Sequence, residues 1–311
     1  MKPSGRSVVV ALHAGRPEAV AAAGDFVREL SARGIACLVK AENLDAVGET
    51  SGRAPLLREL TDAEGRSSEL VVVFGGDGSI LRAAEWALPR EVPVLGVNLG
   101  HVGFLAELES HETGSLIDHV VNRRYQVEER MSIDTVVRDG LDGEILWGSF
   151  AVNEVSLEKM ARERMIEVLV RIDGRPLSRW GTDGVLVSTP TGSTAYAFSA
   201  NGPVIWPDLS ALLLVPLSAH ALFNRPMVVG TKSRISIELL PTGGGGAVVW
   251  CDGRRSFEVR QGMVVEACLG RRPLRLARMS EQPFVDRLVR KFGLPVDGWR
   301  GAAERKAPHA D

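Results

Sequence analysis

The turn Gly75-Gly76-Asp77-Gly78-Ser79 limits the fold of this chain more than any other segment. It follows the apolar run Leu70-Val71-Val72-Val73-Phe74 and precedes Ile80-Leu81-Arg82-Ala83-Ala84-Glu85-Trp86-Ala87. A short apolar run closed by glycines reads as a buried strand, and the segment after it as a helix. Three glycines at that junction let the backbone turn sharply and approach a ligand with no Cβ in the way. The helix start offers free amides and the positive end of a dipole, which suits phosphate. Asp77 sets one carboxylate in the middle of this turn, where it could hold a metal or take a proton from an attacking hydroxyl. The same residues could also be no more than a tight strand-to-helix connection. No Gly-Lys-Ser/Thr ends the turn and it is not G-x-G-x-x-G, so neither common nucleotide fingerprint applies.

Around this turn the first third alternates strand and helix signals. Ser7–Leu12 reads as a strand, Pro17–Arg33 as a helix stopped by Gly34, and 35–39, 70–74 and 94–97 as further strands. That alternation predicts a parallel sheet with crossover helices. Residues 43–68 are polar and broken, and read as a mobile surface connection with some helix at 54–60. After about Gln126 the pattern changes to short alternating strands: 132–138, 145–158, 165–172, 184–188, 234–240, 248–251 and 263–268. Asp142-Gly143, Asp173-Gly174 and Asp252-Gly253 read as hairpin turn pairs, and Gly243–Gly246 as a flexible hairpin tip. This half is expected to be a sandwich-like all-β domain. A last helix over 281–292 places Phe284, Leu288, Val289 and Phe292 on one face, so it is expected to dock on a core. Residues 301–311 read as a disordered tail.

Composition excludes several partner classes. A net charge of −2 over 311 residues gives no electrostatic footprint for nucleic acid. The apolar stretch 209–223 is broken by Pro216 and His220 and is too short for a bilayer, so no membrane partner is expected. Cys37, Cys251 and Cys268 form no C-x-x-C pair, as expected of reduced, packing thiols in a cytoplasmic protein. The six histidines show no zinc spacing.

A second constellation lies at Gly181–Pro203, GTDGVLVSTPTGSTAYAFSANGP. A strand runs into Thr189-Pro190-Thr191-Gly192-Ser193 and then a helix-like segment. Ser and Thr often do no more than cap helices. The hydroxyls of Ser188, Thr189, Thr191, Ser193, Thr194 and Ser199, with the nearby glycines, proline and Tyr196, are too dense for capping alone. GGDGS at 75–79, NLGHVGFL at 98–105, Asn153-Glu154, DGVLVSTPTGSTAY at 183–196 and AHALFNRP at 219–226, in this order, resemble the NAD kinases, in particular their actinobacterial members. The resemblance runs from about residue 6 to 300. The GGDG turn alone is less specific, because phosphofructokinases and diacylglycerol kinases carry similar turns.

The resemblance implies transfer of a phosphoryl group from ATP, and also from inorganic polyphosphate, to the 2′-hydroxyl of the adenosine ribose of NAD, giving NADP. It implies an α/β plus all-β architecture: a Rossmann-like N-terminal domain with a parallel sheet over 1–125, completed by 281–300, and a C-terminal β-sandwich domain over 126–280, with the active site between them. Asp77 would be the catalytic carboxylate. Gly75, Gly76, Gly78 and Ser79 would hold donor phosphates. Asp77, Gly78, Phe104, Asn153, Glu154, Asp183, Ser188, Thr194, Ala195, Tyr196, Ser199, Ala219 and His220 would form the NAD site, with Asn153 and Glu154 on the ribose, Phe104 at the adenine and Asp183 on the nicotinamide side. Homodimers or homotetramers are implied as well.

Simpler roles stand beside these. Asn153-Glu154 could be the polar edge of a strand, Asp183 a turn residue, His220 a satisfied histidine, His101 a loop cap, and Arg225 the partner of a nearby acid. Asn201-Gly202 stands where the family usually has Gly-Gly, and Asn tolerates the left-handed conformation the turn needs. Donor phosphates plus Asp77 concentrate negative charge with no Lys in the turn. A divalent cation, Mg²⁺, is therefore expected to arrive with the donor, without direct protein ligands. The alternatives are a lipid or sugar kinase sharing the GGDG turn, or a non-catalytic NAD-sensing module.

Overall fold

The structure, a computed structural model, describes residues 5–99, 103–106, 108–109, 113–161, 164–243, 245–280 and 283–296. Gly100, His101 and Val102 and the 301–311 tail lie outside the described residues. Two compact units form, one from 1–80, 95–126 and 277–311, the other from 81–94 and 127–276.

The first unit contains β1 (Ser7–Leu12), α1 (Pro17–Ala32), β2 (Ala36–Val39), α2 (Ala41–Thr50), β3 (Leu57–Glu59), α3 (Asp62–Gly65), β4 (Leu70–Phe74), the start of α4 (Asp77–Ala87), β5 (Val94–Asn98) from its second residue, β6 (Leu108–Glu109) and α5 (Thr113–Val121). Its sheet runs β3-β2-β1-β4-β5, with parallel pairing of β1 to β2 and β4, and of β2 to β3. β4 is buried at every position, as expected of a parallel strand covered on both faces. α1 opens with Pro17 at its first turn, where the missing N–H does no harm, and Glu18 favours the dipole there. Its Ala19, Ala23, Phe26, Val27 and Leu30 form one buried stripe, and the Phe26 ring meets Phe74 edge-on at 5.5 Å. The strand order reverses between β1 and β4. In such sheets ligands bind at the carboxyl ends of the strands beside that point, and the loop after β4 begins with Gly75.

Residues 43–68 depart from the sequence expectation. The helices are α2, at 41–50, and α3, at 62–65, and 57–59 is an edge strand rather than helix. Leu57, Arg58 and Glu59 pair with Cys37, Leu38 and Val39, so tertiary pairing overrides the local signal.

The second unit contains the rest of α4, most of β7 (Gln126–Arg130), β8 (Ile133–Arg138), β9 (Ile145–Ala151), β10 (Glu154–Lys159), β11 (Ile166–Ile172), β12 (Arg175–Thr182), β13 (Gly184–Ser188), α6 (Tyr196–Ser199), β14 (Ala211–Leu217), β15 (Met227–Gly230), β16 (Ile235–Leu239), β17 (Ala247–Cys251), β18 (Arg255–Val259), β19 (Val264–Leu269) and the start of β20 (Leu274–Arg278). The last helix, α7 (Phe284–Phe292), belongs to the first unit. Two six-stranded sheets form, β15-β14-β13-β10-β17-β18 and β12-β11-β16-β19-β8-β9, with antiparallel pairings. One buried cluster draws on both, including Val155, Val185 and Val249 from one sheet and Val168, Trp180 and Ile237 from the other. That shared core makes the unit a sandwich. Residues 81–94 join it because Glu85 lies 2.6 Å from Arg254, and the carbonyls of Pro89 and Glu91 accept from Arg272 and Arg275.

Asp173-Gly174 and Asp252-Gly253 are both left-handed at both positions, as the tight hairpin turn requires. Asp142-Gly143 is not: the left-handed residue there is Gly140, in a wider loop. Gly244, in the expected hairpin tip 243–246, lies outside the described residues; the strands on either side, β16 and β17, belong to different sheets and do not pair. The expected strand 145–158 is two strands. β9 pairs with β8 in one sheet and β10 with β13 and β17 in the other, so the chain changes sheet at Val152-Asn153. β14 runs through Pro216; its pairing with β15 ends at Leu214, so the proline sits where the strand has one neighbour.

Candidate active site

In the first unit, α4 begins inside the glycine turn, three residues earlier than the apolar pattern suggested, with Ser79 and Ile80 amides donating to Gly76 O. Asp77 therefore opens the helix, where a carboxylate is favoured by the dipole. Its Oδ2 accepts from the Phe104 amide at 2.9 Å and its Oδ1 from the Leu105 amide at 3.1 Å. Each oxygen has a second lone pair for another partner. Gly103 makes this grip possible, because a Cβ there would stand 2.2 Å from Asp77 Oδ1. Gly75 is needed for space as well: a Cβ would come 2.5 Å from Ser79 Oγ. Gly76 and Gly78 have open space around them. Phe104 is buried, its ring 5.8 Å from Phe284 and 6.0 Å from Phe292. The last helix thus docks as expected, through Phe284 and Phe292, and also through a buried Arg287.

In the second unit, Glu154 opens β10 directly opposite Ser188, the last residue of β13. This register joins the Asn153-Glu154 pair to the hydroxyl-rich turn. The Thr189 amide donates to Asn153 O at 2.9 Å, and Thr189 Oγ1 donates to Val152 O at 2.6 Å. Ser193 Oγ lies 2.6 Å from Pro190 O and accepts from the Ile205 amide at 2.9 Å. Ser188, Thr189 and Ser193 are completely buried. Ser188 Oγ lies 3.1 Å from Asn153 O and 3.0 Å from Thr189 O, both main-chain acceptors. These three hydroxyls are bonded to main-chain groups of the turn and its neighbours. Thr194 is half-buried, bonded to Thr191 O; Ser199 and Tyr196 are exposed. Asn201 is left-handed at φ 60°, and the turn survives the substitution.

Where the chain changes sheet, the Val152 and Asn153 amides have no strand partner. The Asp252 carboxylate takes both, at 3.0 Å and 2.7 Å, and Arg255 Nη2 donates to it at 2.9 Å. Sequence reading took Asp252 only for a turn residue. Glu154 is buried beside this group. Burial first, then the Asp252 and Glu158 charges, push its carboxyl up to about 8, against a main-chain hydrogen bond from Tyr196. Its Oε2 has no hydrogen-bond partner among the described residues. Burial also raises Asp252, opposed by the Val152 and Asn153 amides and by Arg255.

A cleft of about 830 Å³ lies in the same unit, lined among others by Glu158, Lys159, Asp183, Tyr196, Ser199 and Arg225. That is ample for a nucleotide. Lys159 Nζ and Asp183 Oδ1 are 2.5 Å apart, so Asp183 is an ion-pair partner rather than a bare turn residue. The structure brings Asp183, Tyr196 and Ser199 to this cleft. Ala219 is buried, and His220 is exposed on a bridge to Gly181, outside its lining.

Known proteins match along nearly the whole chain. The model of the ATP-NAD kinase N-terminal domain covers residues 8–125, and that of the ATP-NAD kinase C-terminal domain covers 152–279. An NAD kinase of Cutibacterium acnes is 52% identical over 301 residues, 96% of this chain and 93% of its own. NAD kinase 2 of Streptomyces coelicolor is 49% identical over 300 residues, 96% and 97% of the two chains. Among solved structures, yeast NADH kinase complexed with NADH superposes with a TM-score of 0.83 at 22% identity, covering 94% of this chain and 89% of that one. An Archaeoglobus fulgidus NAD kinase in complex with ATP gives 0.64 at 24% identity, over 93% and 97%. The two structures share the fold.

Proposed function

The chain belongs to the NAD kinase family, and from that premise we propose how its residues carry the reaction. It phosphorylates the 2′-hydroxyl of the adenosine ribose of NAD, with ATP as donor, and releases NADP. The observation that supports the assignment of roles is the Asp77 carboxylate, gripped by two main-chain amides in a glycine turn at a helix start. Phosphoryl transfer asks the protein mostly for positioning and charge placement, with a carboxylate at the attacking hydroxyl. Asp77 takes that proton on an oxygen lone pair the amides leave open. The amides of Gly76 and Gly78 and the Ser79 hydroxyl face donor phosphate, and Gly75 gives the turn its room. Asn153 and Glu154 hold the ribose, the buried Glu154 Oε2 finding there the partner it lacks among the described residues. Tyr196, Ser199 and Asp183 line the rest of the NAD site, with Thr194 and Ala195 beside them.

Among the described residues no three His, Cys, Asp or Glu side chains stand together as a metal cage. The open lone pairs of Asp77 fit a cation that comes with the donor. Mg²⁺, held by donor oxygens with Asp77 facing it, would neutralise the transferring phosphate. Polyphosphate as a second donor, and a homodimer or homotetramer, complete the reading; the family resemblance supports both.

The test is Asp77→Asn, assayed with NAD, ATP and magnesium, and NADP read by a coupled dehydrogenase. Turnover is expected to fall by ~10²–10⁴-fold while NAD binding is retained. Near wild-type turnover would sink the assignment of Asp77.

A further inference from the structure

The amides of Phe104 and Leu105 hold Asp77, and the carbonyls of the same short segment are held in turn. Arg287 Nη1 donates to Phe104 O at 2.9 Å and to Ala106 O at 3.2 Å. Arg278 Nη1 donates to Leu105 O at 3.2 Å. Both arginines are buried, at 4% and 9% exposure. Burying a guanidinium is unfavourable unless its hydrogen bonds repay the lost water. Seating α7 does not require Arg287, because Phe284 and Phe292 already hold that helix on the Phe104 ring.

The connection to Asp77 is direct. The Phe104 carbonyl and the Leu105 N–H belong to one peptide group. A line of hydrogen bonds therefore runs from the Arg287 guanidinium, through that peptide, to Asp77 Oδ1. A cation at the oxygen end polarises the peptide and strengthens donation at the nitrogen end. Arg278 and the second Arg287 bond fix the next two carbonyls, so the segment cannot rotate its amides away.

We propose that Arg278 and Arg287 are positioning residues for Asp77, acting through the main chain of Phe104, Leu105 and Ala106. The proposal rests on the reading above, in which Asp77 serves the phosphoryl transfer. Neither arginine lies in a motif, and neither touches substrate in this role. Each keeps the acceptor carboxylate aimed, and a misplacement of about 1 Å at a reacting group can remove on the order of 10² in rate.

The experiment is a double-mutant cycle on the full chain. Arg287→Met and Arg278→Met are each assayed alone and combined with Asp77→Asn, using NAD, ATP and magnesium. Each single arginine variant is expected to lose on the order of 10²-fold in kcat with KM for NAD unchanged. In the Asp77→Asn background the same substitution should remove almost nothing more, since the group it aims has gone. Arg287→Lys, which keeps a cation and a nitrogen able to donate to both carbonyls, should recover part of the rate. Losses that multiply through the cycle, or a rise in KM for NAD with kcat kept, would overturn the positioning role and leave Asp77 standing. Full turnover by Asp77→Asn would overturn both readings. If Arg287→Met does not fold, Arg278→Met and Arg278→Lys decide by the same cycle.

Discussion

Glu154 makes the stability of this protein depend on pH in a direction opposite to that of most carboxylates. Its carboxyl moves from 4.5 to about 8 on folding, chiefly through burial, with the Asp252 charge second. A group raised on folding contributes stability that is fully present below its unfolded value. That contribution is lost as pH climbs toward the folded value. Between about pH 5 and 8 the folded chain holds one proton that the unfolded chain has released. Stability then falls by about 1.4 kcal/mol for each pH unit from this group alone, or roughly 3 kcal/mol from pH 5.5 to 7.5. Asp252 is raised too and adds in the same direction, so the wild-type slope alone does not isolate Glu154. Glu154→Gln does. Glutamine keeps an oxygen for the Tyr196 amide but puts an NH₂ where Oε2 has no partner. That adds a pH-independent penalty of about 1–3 kcal/mol, so slopes and not levels must be compared. The assay is urea unfolding of both proteins at pH 5.5, 6.5 and 7.5 without nucleotide. The variant is expected to show the flatter dependence, by about 1 kcal/mol per pH unit or more. Parallel dependences would show that Glu154 is already ionised in the free protein and that the argument from its burial fails.

Two further outcomes follow from the same geometry. Gly192→Ala would put a Cβ 2.1 Å from the Asn153 carbonyl oxygen, inside buried main chain, so the turn must move; thermal melting should show a loss of about 1–3 kcal/mol together with a raised KM for NAD, and an unchanged KM would separate this turn from the NAD site. Excess EDTA should abolish turnover, whereas calorimetry of the free protein with Mg²⁺ should show no tight stoichiometric site; a tight site without donor would contradict a cation carried in by phosphate.

Much of the fold was legible because it is local. The all-buried β4, the buried stripe of α1 and the left-handed Asp-Gly pairs at 173–174 and 252–253 each follow from a few adjacent residues. Three of the strands that escaped notice share a physical reason. β12, β15 and β18 are all sheet edges with one solvated side, so their apolar pattern is thin. β14 carries a proline, which argues against a strand until its neighbours are known. The break between β9 and β10 could not be read at all. It exists because the chain changes sheet, and a carboxylate about 100 residues away, Asp252, takes the amides freed there.

The site was legible to the extent that its chemistry lies in side chains. Asp77 stands out because one carboxylate among glycines is hard to explain otherwise. The dense hydroxyls of 188–194 have a structural share that their sequence does not show: Ser188, Thr189 and Ser193 bond main-chain partners. What stayed hidden is the support. Arg278 and Arg287 reach Asp77 only through carbonyl and amide groups, which every residue possesses, so no side-chain pattern at 104–106 announces them. They also come from 170 or more positions downstream, and only the return of the C-terminal segment to the first unit brings them there. The sequence signal that could have pointed to them is Gly103. Its lack of a side chain leaves room for a group pressed against that backbone, and Asp77 is that group. A glycine packed against a carboxylate is thus a clue to that carboxylate's anchor, and the groups that fix the anchor are the next place to look for residues that position it.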